Sequence, residues 1–184
     1  YGRGERRLGN VRRLGGAAEM PFTGKEHEQF ELVDHGRRAP SFISSDMSDH
    51  QPEICNVLGD SITLQLTADQ TGGKYSVAEF ATPGGVGQPP HTHDWDETYL
   101  VLEGELNLNI NGESTIISSG ETHQVKGGTV HAPIPAGEFC RYVMVGQPGG
   151  VESVFKALKA NEDALSDMAK VVEIVTKEGV RIAA

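Results

Sequence analysis

A chain of 184 residues with 26 acidic and 16 basic side chains carries a net charge of −10, which argues against nucleic acid or an anionic membrane as a partner. The length suits one domain with a real core, and 23 glycines and 9 prolines favour many short strands over a helical bundle. No apolar run approaches the roughly 20 residues needed to cross a bilayer.

Residues 1–20 stand apart, holding five of the sixteen Lys/Arg against only Glu5 and Glu19. The segment lacks an apolar core and is not a secretory signal. It reads as a basic extension, disordered or added upstream of a native start at Met20, with residues 21–184 as the folded domain. Cys55 and Cys140 form no spacing pattern, so two buried thiols in a reducing compartment are expected, consistent with a cytoplasmic protein.

Residues 21–60 are punctuated by Pro21, Pro40 and Pro52, and the short apolar pieces 41–43 and 54–58 suit edge strands. From Asp60 a period of two sets in. Ile62, Leu64 and Leu66 alternate with polar residues, and Gly72-Gly73 turns the chain into the strand at 75–80. A Gly/Pro-rich loop spans 83–90. Residues 97–110 form a strand region broken at Gly104, with Leu106, Leu108 and Ile110 on one face. Asn111-Gly112 predicts a type I′ hairpin. Further short strands end at 139–145. This spacing predicts an all-β sandwich or barrel.

After residue 150 the period changes. Val151, Val154, Phe155 and Leu158 fall on one helical face, as do Met168, Val171, Val172 and Val175. Ser166 suits the N-cap of the second helix, Gly179 its C-terminal stop, and residues 180–182 a last edge strand. The first helix either caps a barrel mouth or packs outside it.

His91, His93 and Glu97 share one parity, so on an extended strand all three point to the same face. Burying two imidazoles and a carboxylate together is costly unless they are paired or bound to metal. His131 supplies a fourth donor. Three imidazoles and a carboxylate suit one divalent transition-metal ion (Fe, Mn, Ni, Co, Cu or Zn) and not Mg or Ca. Asp94 and Asp96 have the opposite parity and face away or orient the imidazoles. His123 is a weaker candidate. Tyr99 and Val101 continue the ligand parity and, with Tyr75 and Phe139, are candidate substrate contacts; plain core is the competing reading of such aromatics.

The stretch Gly85, His91, His93, Glu97, Gly104 resembles the first cupin motif, G-x5-H-x-H-x3-E-x6-G, at every spaced position. Gly120, Gly128 and His131 resemble the second motif, with Lys126 where the family has Pro and Pro135 where it has Asn. Only 15 residues separate the motifs. The resemblance covers about residues 60–147 and implies a jelly-roll β-barrel with short C-terminal helices at 150–184. It further implies metal held by His91, His93, Glu97 and His131, a small-molecule substrate and a homodimer. Residues 74–155 resemble bacterial quercetinase-like dioxygenases. That likeness implies O₂ chemistry on a phenolic or enolic aromatic such as a flavonol, with Glu97 as ligand or base. Two alternatives stay open. One is a non-redox metalloenzyme (isomerase, lyase, decarboxylase or polyketide cyclase), and the other a non-catalytic small-molecule-binding cupin.

Overall fold

The computed structural model describes residues 51–183; the basic extension and the apolar piece at 41–43 lie outside the described residues. The described chain is all-β with short helices, as expected, in the order β1 (Glu53–Val57), β2 (Asp60–Leu66), α1 (Ala68–Thr71), β3 (Ser76–Pro83), β4 (His91–Thr92), β5 (Asp96–Ile110), β6 (Glu113–Ser118), β7 (Thr122–Val125), β8 (His131–Gln147), α2 (Glu152–Ala160), α3 (Met168–Lys177) and β9 (Arg181–Ile182). One sheet runs β1-β2-β3-β8-β4-β9, with β5 joined to β6, β7 and β8. Among the described residues the ladders do not close into a ring, so the expected barrel is a sheet folded on itself.

Two long strands make that folding possible. The first half of β8 pairs with the far end of β5, from His131↔Ile110 to Pro135↔Leu106, and its second half pairs with both β5 and β3. The strand break expected at Gly104 is instead a bend within one strand, marked by register shifts on both sides of it. Gly104 adopts φ 77°, and a Cβ there would collide with the Phe139 carbonyl, so the close approach of β8 requires glycine. Asn111 and Gly112 both have positive φ, 52° and 89°, as a type I′ turn demands.

Alternation along these strands builds the core. Ile62 and Leu64 of β2, Ala78 and Phe80 of β3, Leu106 and Leu108 of β5, and Tyr142 and Met144 of β8 all point inward. Gly72 and Gly73 turn the chain into β3 as expected, following the one-turn helix α1.

The C-terminal helices fall where the period predicted them. Asp167, not Ser166, caps α3, its carboxylate accepting from Ala169 N at 3.1 Å. Both residues are good N-caps, and the helix starts at Met168, one residue later than a Ser166 cap would give. After Gly179 (φ 90°), β9 pairs with β4, setting Ile182 opposite His91.

Glu152 ties α2 to the sheet. This buried carboxylate accepts from Ala68 N at 2.6 Å, Gly150 N at 3.2 Å and the Ser76 hydroxyl. Burial pushes its pKa up, but these donors outweigh burial and hold it below the ordinary value. Glu152→Ala strands the donors, and urea denaturation is expected to show a loss of about 1–3 kcal/mol.

Candidate metal centre

His91 lies on β4, Glu97 near the start of β5 and His131 at the start of β8. Shared parity places the three side chains on one face only along one extended strand. The structure interrupts it between Thr92 and Asp96, and His93 sits in the bend. Burial nonetheless keeps the alternation, with His91, His93 and Glu97 exposed by 5%, 1% and 5%.

The bend is fixed by the loop that leads to His131. Gly128 N donates to His93 O at 2.7 Å, and a Cβ on Gly127 would collide with the Asp94 carbonyl. Asp96 holds the same loop, accepting from Gly127 N at 2.9 Å and Lys126 Nζ at 2.7 Å. Lys126, the departure from the family's proline, is therefore anchored to the bend it faces. Asp94 points outward to Arg181 at 2.6 Å. Neither aspartate orients an imidazole.

Backbone carbonyls do that instead. His91 Nδ1 bonds Pro89 O at 2.8 Å, His93 Nδ1 bonds Trp95 O at 2.9 Å and His131 Nδ1 bonds Thr129 O at 3.0 Å. A carbonyl only accepts, so each Nδ1 is a protonated donor and each ring turns its Nε2 inward, a lone pair wherever the ring is neutral. The three rings bring a nitrogen each within 4.8 Å of one another.

Glu97 completes the group. Its Oε1 lies 3.2 Å from His93 Nε2 and its Oε2 lies 3.2 Å from His131 Nε2. Trp95 Nε1 donates to Oε1 at 2.9 Å, and the Tyr99 hydroxyl donates to Oε2. Trp95 also stacks flat on His93, with centroids 4.0 Å apart. Imidazole lone pairs thus confront a carboxylate, acceptor against acceptor, and His93 Nε2 is buried with no hydrogen-bond donor. A cation or a proton resolves that conflict, and the donor set fits a borderline divalent metal.

In the absence of a cation the protons are shared unequally. Burial pushes Glu97 up, but His131 and His93 outweigh it and hold the carboxyl well below its usual range. Burial and the neighbouring His131 push His91 down to about 4, keeping it neutral at pH 7. Burial lowers His131, yet Glu97 more than compensates and leaves it raised. Tyr99, desolvated beside the Glu97 charge, is pushed well above its ordinary value and stays a donor.

The site opens into a cavity of about 110 Å³, floored by His91, His93 and Glu97 and walled by Phe155 of α2 and Val171 and Val175 of α3. The helices therefore lie over the site. Tyr99 and Val101 are buried in the core beneath Glu97 and do not line the cavity. Tyr75 and Phe139, expected as substrate contacts, are 40% and 39% exposed and lie outside it, Tyr75 just before β3 and Phe139 at the bend opposite Pro83. His123 pairs in register with Tyr99 and stands apart from the three histidines.

Residues 80–146 match the family model described as "Cupin domain". Quercetin 2,3-dioxygenase from Bacillus subtilis is 27% identical over 97 residues, which are 52% of this chain and only 29% of that enzyme's length. Among known structures, the polyketide cyclase RemF from Streptomyces resistomycificus is 21% identical with a TM-score of 0.48, covering 53% of this chain and 74% of its own. KdgF from Halomonas sp. is 15% identical with a TM-score of 0.48, covering 56% and 92%. No helix of the described residues is long and apolar enough to cross a membrane. By its motifs, its all-β fold and the family match, the chain carries a cupin domain over residues 80–146.

Proposed function

We propose that this cupin is a metal-dependent dioxygenase acting on an enolic or phenolic aromatic substrate. One divalent transition-metal ion (Fe, Mn, Ni, Co, Cu or Zn) would be held by His91, His93, His131 and Glu97. The observation that carries the metal is the convergence of Nε2 lone pairs on a carboxylate beside an apolar cavity. The likeness to a quercetin dioxygenase supports the reaction class. Such an ion would supply Lewis acidity toward an enolic hydroxyl and, for the redox-active members of that set, redox chemistry toward O₂.

The chain's own residues do the rest. Trp95 and Tyr99 fix both oxygens of Glu97, so its carboxylate is set to take a proton from a substrate hydroxyl brought to the histidines. Phe155, Val171 and Val175 keep water from that proton transfer and offer an apolar wall to a ring. A cavity of about 110 Å³ is on the scale of one aromatic ring. Within the proposed class it favours a single-ring enol or phenol, with a flavonol reaching outward past the helices. Cys55 and Cys140, both free and buried, are compatible with work in a reducing cytoplasm.

The test is O₂ uptake with catechol and with 3-hydroxyflavone by the metal-loaded protein. Uptake is expected with at least one of them, falling by about 100-fold or more in Glu97→Ala. Turnover of the same compounds at an undiminished rate without O₂ would overturn the oxygenase reading in favour of non-redox chemistry.

A further inference from the structure

Asp60 is a polar residue that the site so far described does not use. It opens β2, directly after the turn at Leu58 and Gly59, and is only 8% exposed. It lines the same cavity as His91, His93 and Glu97. Its Oδ1 is buried without a hydrogen-bond partner, and so is the Thr82 hydroxyl oxygen on β3. In the sheet, β3 and β8 separate β2 from β4, so Asp60 approaches the cavity from a different wall than the histidines.

A buried carboxylate oxygen with no donor is costly, and proteins retain few of them without a use. Among the described residues the one donor placed beside Asp60 is the Thr82 hydroxyl, and no hydrogen bond closes to Oδ1. Burial pushes its pKa up, and the nearby Thr82 hydroxyl only tempers the shift. The neighbouring walls are apolar, with Val57, Ile62, Val154 and Phe155 lining the same space. An acceptor in such a wall selects for a ligand that brings a donor, because any other ligand leaves it unpaired.

We propose that Asp60 is the second polar anchor of the cavity, accepting a hydrogen bond from a hydroxyl or amino group that the substrate carries away from its metal-facing oxygen. The inference rests on reading this cavity as the substrate site. It narrows the substrate to a small ring with two polar groups, one turned to the histidines and one to β2. Asp60 positions and selects; it takes no part in bond making.

Phenol and toluene, which differ by hydroxyl against methyl, are the probes. Each is titrated into wild type, Asp60→Leu and Asp60→Asn, and followed through the methyl signals of Val154, Val171 and Val175. Both the metal-loaded and the chelator-treated protein are used. The ratio of phenol to toluene affinity is expected to fall by tenfold or more in Asp60→Leu, with a smaller fall in Asp60→Asn, in both metal states. Asp60→Leu is also expected to raise Tm, since it removes an unpaired buried carboxylate. An unchanged ratio in both variants, or no binding of either probe to wild type, would overturn the proposal. A wild-type ratio insensitive to chelation, with the Asp60 effect intact, would instead count against the metal reading alone.

Discussion

His93→Ala is expected to lower bound metal from about one equivalent to less than about a tenth, measured by dialysis against micromolar metal and elemental analysis. The reason is geometric. His93 Nε2 is buried with no donor, and its Nδ1 is committed to Trp95 O, so the ring has no role left but to offer a lone pair. Its flat stacking on Trp95 fixes the ring plane, and alanine loses both ligand and support. The same substitution should abolish the metal's effect on stability. Wild type at a metal concentration about 100 times Kd is expected to gain about 2.7 kcal/mol, and the variant none. Asp94→Asn serves as the control. Its carboxylate faces Arg181 at the surface, so metal content should not change.

Phe80→Ala is expected to cost about 3–5 kcal/mol in urea denaturation. Phe80 is 1% exposed, stacks on Tyr142 at 4.8 Å and meets Phe155 edge-on at 5.5 Å. It thus joins β3, β8 and α2 in one contact. Removing it leaves a void under the helix that walls the cavity, so amide exchange in α2 should accelerate more than in β5. Phe139→Ala, at an exposed position, should change stability by less than about 0.5 kcal/mol. A comparable loss at both positions would show that aromatic area, and not this junction, sets the cost.

Much of the fold was legible because its strands are half-buried and alternate. Ile62 and Leu64, Leu106 and Leu108, and the Asn111-Gly112 turn each carry a local signal that the tertiary structure obeys. The donor group was legible for the same reason, since shared parity survives even where the strand is interrupted. The interruption itself was hidden. It depends on Gly128 N reaching His93 O, a contact between segments far apart in sequence.

Other features leave no trace in a pattern. The partners that set the imidazole tautomers are carbonyls of Pro89, Trp95 and Thr129, and every residue has a carbonyl. An amphipathic period shows that α2 and α3 bury a face, without showing that the face closes over the histidines. Ring type alone marks Tyr75 and Phe139, and it says nothing about the wall they join. Asp60, one carboxylate at a strand start, becomes notable only when its Oδ1 is seen to be buried and unpaired in an apolar wall.

On the proposed function, three imidazoles locked by their Nδ1 bonds converge with Glu97 on one metal ion. X-ray absorption of the metal-loaded protein tests it most directly. A shell of light donors at about 2.0–2.2 Å with the outer-shell scattering of three imidazole rings is expected, one ion per chain. A shell of water-type oxygens without imidazole scattering, or no stoichiometric ion in the protein, would contradict it.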